Sequence, residues 1–169
     1  MDLKDLLLKR REEILERWFE IALGSYASEV TSFLKDTKKQ FTNPVGHTIS
    51  QGLAGILDGL LRELPEDQFS PLLDGIIRIR AVQDLAPSKA LAFMLDLKKV
   101  IREIAEEERL GVSEELLTLE SRIDLLTLIA FDIYVTCREK IYELKANEAR
   151  NMTYRLLQRA KLVREVNEQ

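Results

Sequence analysis

The last third of the chain, Val112 to Gln169, contains neither glycine nor proline, the two strongest helix breakers. Ser113 can cap the free amides of a first turn, and Glu114 and Glu115 stand where they favour the helix dipole. Apolar residues then recur at Leu116, Leu119, Ile123, Leu126, Ala130, Ile133, Cys137, Ile141 and Leu144. Steps of three and four residues place them in one stripe of a helix. At 1.5 Å per residue, a helix from Glu114 to Val166 spans roughly 80 Å. That is longer than a compact body built from the rest of the chain, so one end must overhang. We expect a body over residues 1–145 and a projecting extension over 146–169.

The remaining sequence reads as further helices. Leu3, Leu7, Arg11, Ile14, Trp18 and Ile21 trace one helical face, and Gly24-Ser25 interrupts it. Tyr26 to Leu34 gives a shorter helix, and Phe41 to Gly46 carries turn chemistry. A helix from about His47 to Leu64 presents a broad apolar face and holds Gly52, Gly55 and Gly59. In an exposed helix each would cost about 1 kcal/mol against alanine, so another backbone or a pocket is expected close by. Ser70-Pro71 reads as an N-cap followed by a first-turn proline, opening a helix to about Leu85. A helix from Ser88 to Leu110 follows, with Gly111 as its C-cap. No stretch alternates like a strand. The class is all-α, with six or seven helices and a long C-terminal one.

The totals limit function. Apolar residues make up 46% and charged residues 32%, with a formal charge of −4. A nucleic-acid platform normally shows a basic surplus, so none is expected. The tail is locally basic, with eight Lys or Arg against five Glu from Arg138 to Gln169, which reads as a solvated or partner-facing surface. The N-terminus is charged on both sides of a short apolar run and reads as a first helix, not a signal peptide. The most apolar stretch, Leu125 to Val135, is too short to span a bilayer and is broken by Asp132. A soluble, cytoplasmic protein is the expectation, and the single cysteine, Cys137, fits a reducing compartment.

Few residues offer chemistry. His47, the only histidine, sits at a helix start beside Pro44 and Gly46, where capping suits it better than ligation of haem. One His and one Cys do not make a metal set. Cys137 lies on the long helix's apolar stripe without an evident base, as an inert core or interface thiol does. Arg78, Arg80, Gln83 and Asp84 form the one polar cluster on an apolar helix, and Arg80 and Asp84 can pair at a spacing of four. They line a pocket or form a structural clamp. Neither catalysis nor a cofactor is expected.

Several stretches together resemble the N-terminal domain of the RsbR/RsbRD family, the RsbT co-antagonists of bacterial stress signalling. They are Asn43-Pro44-Val45-Gly46-His47-Thr48-Ile49 with Gly52-Leu53, then Arg78-Ile79-Arg80-Ala81-Val82-Gln83-Asp84, then Ala86-Pro87-Ser88-Lys89-Ala90. Ala130-Phe131-Asp132-Ile133-Tyr134 and Cys137-Arg138-Glu139-Lys140 add to them. Ala86 and Lys89 depart from the hydroxyl-bearing and acidic or amide residues often found there. The resemblance implies a globin-like helical bundle without haem, a dimer, and a place before a STAS output domain in the stressosome. No STAS-like stretch follows here, so a stand-alone sensory or regulatory module is expected.

Such a module acts through protein contact. A homodimer is expected through Ile123, Leu126, Ala130, Ile133, Cys137, Ile141 and Leu144, a stripe shared with the domain's own core. A further, unidentified protein partner, a regulatory or redox complex, is expected beside it. The alternative is a protein that binds a small apolar ligand or lipid in the helical pocket. The haem-free expectation is tested by titrating the purified protein with haemin. No Soret band should form, and a stoichiometric band near 400 nm lost in His47→Ala would refute it.

Overall fold

The computed structural model describes residues 2–24, 34, 35, 43–83 and 85–161, and it is all-α. Six α-helices stand among the described residues: α1 (Leu3–Lys9), α2 (Arg11–Leu23), α3 (Pro44–Leu61), α4 (Ser70–Val82), α5 (Pro87–Glu107) and α6 (Glu114–Arg159). A 3-10 turn, Glu66–Phe69, leads into α4. The shorter helix expected over Tyr26 to Leu34 falls, apart from Leu34, outside the described residues.

Helix boundaries follow local chemistry, and several differ from the sequence reading. The first apolar face is divided between two helices at Arg10 (φ −97°, ψ 14°). Arg10 bonds Glu13 there and reaches Glu107 at 2.6 Å and Glu108 at 3.0 Å on the end of α5. Ile21, expected on the buried face, is exposed, and Leu6 and Leu23 are buried instead. Helix α3 starts three residues earlier than expected. Asn43 caps it by accepting from the Gly46 amide at 2.9 Å, and Pro44 takes a first-turn position where no amide is needed. Ser70, read as a cap, is instead the first residue of α4, because the preceding 3-10 turn runs straight into that helix.

Gly111 is not the C-cap of α5. The helix ends at Glu107, and Arg109 takes the left-handed position at φ 57°, with the Leu110 amide donating to the Ala105 carbonyl at 2.8 Å. Ser113 does cap α6, its Oγ accepting from the Leu116 amide at 3.2 Å.

The core gathers the inner faces of all six helices. Helix α6 lies against α4 and α5, α3 packs on α4, and α2 rests on α5 and α3. Trp18, Phe69, Phe93, Ile49, Ile56, Ile76, Ile101 and Ile123 are among its buried side chains. The outer rim is tied by ions: Arg17 joins Glu13 and Glu107, and Arg11 bonds Asp58 at 2.6 and 2.8 Å. The hydrogen bond from Arg10 and then its charge, with a smaller part from Arg17, hold the Glu13 carboxyl down at about 2. Glu107 thus takes both Arg10 and Arg17 in this rim.

The three glycines of α3 mark where another element comes close. A Cβ on Gly52 would lie 2.7 Å from the Ile76 side chain, on Gly55 2.8 Å from Leu72, and on Gly59 2.8 Å from the Phe69 ring. The absent side chains let α4 and the turn before it settle onto α3.

Helix α6 has 46 residues, hence about 69 Å of length. Its buried residues end at Tyr134, with Cys137, Arg138 and Ile141 half-buried, and every residue from Tyr142 to Lys161 is exposed. The last turns project about 30 Å beyond the body.

Gly59→Ala should therefore destabilise the fold. Overpacking against the buried Phe69 ring costs about 1–3 kcal/mol, more than the ~1 kcal/mol that alanine returns in helix propensity. Urea unfolding reads this as a lower midpoint, and a midpoint at or above that of the parent would refute the close-approach argument.

Candidate functional site

The polar side chains that reach furthest converge on helix ends. A helix leaves its last carbonyls without partners, and its C-terminus carries partial negative charge. Arg80 of α4 is buried, only 1% exposed, and one guanidinium nitrogen (Nη2) donates to the Ala22 carbonyl at the end of α2, 2.5 Å away. The same guanidinium lies 4.7 Å from the centre of the Phe93 ring of α5. Phe93 stacks on Trp18 at 6.1 Å, and Trp18 Nε1 donates to the Phe93 carbonyl at 2.6 Å. One buried cation thus ties α2, α4 and α5 together.

Helix α6 treats two further ends in the same way. Arg122 donates to the Leu60 and Leu64 carbonyls, at 3.3 and 2.6 Å, where α3 finishes. Arg138 donates to the Ala81 carbonyl near the end of α4 at 2.9 Å, and its other nitrogen donates to Tyr142 Oη at 2.6 Å. Tyr134 Oη donates to the Leu85 carbonyl at 2.5 Å. Three helix C-termini are each met by an arginine from another element. The acid Glu120 of α6, also buried, takes a two-pronged contact from Arg102 of α5, whose hydrogen bonds pull its carboxyl below the ordinary range.

The four residues of the expected polar cluster separate. Arg80 is the buried clamp just described. Arg78 is exposed and bonds Asp74 along α4 at 2.6 Å. Gln83 is exposed at the end of α4, and Asp84 lies outside the described residues. The Arg80 contact to α2, made to a backbone carbonyl, is one that no local spacing encodes.

The expected interface stripe divides along α6. Ile123, Leu126 and Ala130 are fully buried in the chain's own core, Ile133, Cys137 and Ile141 are half-buried, and Leu144 is exposed. The open side of α6 is a different one, carrying Leu117, Leu128, Phe131 and Tyr142. Burial pushes the Cys137 thiol up, against a smaller opposite effect of Arg78, so it is protonated near neutral pH and a poor nucleophile. An open groove of about 470 Å³ runs past Arg78, Cys137 and Lys140. A second cleft, about 460 Å³, lies between the starts of α1 and α6 and the end of α3, with Leu3, Leu7 and Leu119 in its wall. His47 is half-buried in the first turn of α3. Among the described residues no group of three or more His, Cys, Asp or Glu is gathered as a metal site. No helix among them is long and apolar enough to cross a membrane.

With this geometry in hand, comparison with known proteins gives one family. The model of the RsbT co-antagonist protein rsbRD N-terminal domain matches residues 12–149. An uncharacterized protein of Archaeoglobus fulgidus is 26% identical over 143 residues, covering 82% of this chain and 83% of its own length. No solved structure matches the chain. The matched span includes Arg80, Arg122 and Arg138, and all but the last turns of α6.

Removing the clamp should loosen the body. Arg80→Ala leaves the end of α2 without its cationic donor and takes the guanidinium off Phe93. We expect a loss of about 1–3 kcal/mol in chemical unfolding. An unchanged midpoint combined with altered ligand or partner binding would make Arg80 a site residue instead.

Proposed function

The chain belongs to the RsbT co-antagonist protein rsbRD N-terminal domain family, and on that premise we propose a stressosome-related regulatory module that works as a homodimer, by protein contact and not by catalysis. The observation that carries this reading is the open side of α6. Leu117, Leu128, Phe131 and Tyr142 recur at near-integral helical turns, and each is at least 44% exposed. Large apolar side chains left exposed along one helix face point to a surface that another chain covers. Beyond it, Met152, Leu156 and Leu157 are exposed on the projecting turns. An isolated helix of that length is marginal in water, so contact with another chain would stabilise it. A self-complementary two-fold pair is the commonest arrangement that covers such a face.

A second reading, a small apolar ligand, has its seat in the cleft beside Leu3, Leu7 and Leu119, which is apolar at its base and open to solvent. Native mass spectrometry of the purified protein distinguishes the two. Retained mass beyond the polypeptide favours a ligand, and a doubled polypeptide mass favours the dimer.

Sedimentation at tens of micromolar should show a dimer for the full chain. Leu128→Arg, at a position 63% exposed, should shift it to monomer while the helical circular dichroism of the body is kept. A monomeric parent protein would refute the dimer.

A further inference from the structure

We propose that the cleft between the starts of α1 and α6 and the end of α3 binds a cationic amphiphile, an aliphatic chain carrying an ammonium head. This rests on the ligand reading given second above and supplies its chemical class.

The floor suits an aliphatic chain. Leu3 and Leu7 of α1, Leu60 and Leu61 of α3 and Leu119 of α6 line it. The volume, about 460 Å³, lies within the ~300–1,000 Å³ common to small-molecule sites. Among the described residues no aromatic ring, histidine or side-chain amide stands in its walls, so nothing there selects a flat or hydrogen-bonding ring system.

The rim decides the head group. It holds four carboxylates, Asp2, Glu63, Glu114 and Glu115, against two cations, Lys4 and Arg122. Both cations are already engaged. Lys4 bonds Glu63 at 3.0 Å, and Arg122 donates to the Leu60 and Leu64 carbonyls at 3.3 and 2.6 Å. The remaining acids collect on one edge. A neighbouring groove of about 550 Å³ shares Asp2, Leu3, Glu114 and Glu115 with the cleft, and no lysine or arginine stands among the described residues around it.

The helix starts at this edge do not offset the excess of negative charge. Asp2 accepts from the Asp5 amide at 2.7 Å, Ser113 from the Leu116 amide at 3.2 Å and Glu115 from the Leu3 amide at 3.3 Å. These are amides of the kind that hold an anion at a helix start, and the chain's own oxygens already take them. A fatty acid would bring its carboxylate against three others, whereas an ammonium meets opposite charge. The aliphatic chain therefore lies on the leucines, with the head at the edge formed by Asp2, Glu114 and Glu115.

Isothermal titration calorimetry with three probes of one chain length isolates the head group. The probes are dodecyltrimethylammonium, dodecanoate and uncharged dodecyl maltoside, each below its micelle concentration. The ammonium should bind one to one, about tenfold or more tighter than dodecanoate, and more weakly as salt rises. Thr118→Trp, at an exposed position on the cleft wall, should abolish this binding by filling the cleft. Glu114→Gln should weaken the ammonium about two- to fivefold and leave the maltoside unchanged. Circular dichroism should show the same helical signal for both variants and for the parent with the ammonium bound. Dodecanoate or the maltoside binding as tightly as the ammonium would overturn the cationic class and leave the ligand reading standing. No saturable binding of any probe would overturn both. Ammonium binding indifferent to both substitutions, or seen only with loss of helical signal, would overturn the cleft as its seat.

Discussion

Helices end in carbonyls that they cannot satisfy themselves, and this bundle depends on how three of those ends are met. At the end of α2 the donor is Arg80, at α3 it is Arg122, and near the end of α4 it is Arg138. Each pairs a fixed cation with the negative pole of a helix other than its own, Arg80 from α4 and both Arg122 and Arg138 from α6. Arg80 is the most demanding of the three because it is buried. A guanidinium taken out of water must keep its hydrogen bonds and its ring contact, and this allows one mutual placement of α2, α4 and α5. The apolar core then supplies the bulk of the stability without having to choose that placement.

The long helix depends on the same device. Its inner stripe lies on α4 and α5, but apolar packing alone tolerates sliding along a helix axis. Arg122, Tyr134 and Arg138 each reach a particular carbonyl, at Leu64, Leu85 and Ala81, and so fix α6 along its length. Tyr142 lies beneath the Arg138 guanidinium, 4.7 Å from it, where the helix leaves the body. Beyond that point the helix is exposed on every side among the described residues.

How much of this was legible depends on the range of the signal. Local signals were read well: the all-α class, the uninterrupted last helix, Ser113 as its cap, and glycines in α3 awaiting a close neighbour. Boundaries that rest on a single backbone angle were not. Arg109 takes a left-handed conformation usually given to glycine, which is why the nearby Gly111 reads as the cap in sequence. The break at Arg10 has no glycine or proline to announce it. The arginine contacts lay beyond reach, since Arg80 and Ala22 stand 58 residues apart and an arginine on an apolar face does not say which carbonyl it will meet. The in-helix partner expected for Arg80, Asp84, was the nearest guess available to local spacing. The buried stripe of α6 was identified correctly as apolar, but the opposite, open side carries the large residues a neighbour would need, and an apolar count does not separate the two.

A helix without glycine or proline has no hinge at which to bend, and α6 carries this stiffness from the core out into solvent. Angle therefore becomes distance. A tilt of about 5° where α6 rests on α4 and α5 would displace the far end of its ~30 Å projection by roughly 2.5 Å. That is enough to make or break a side-chain contact there. Any repacking around the Arg138–Tyr142 collar is thus read out, enlarged, at Leu156 and Leu157, with no rearrangement of the bundle's connectivity.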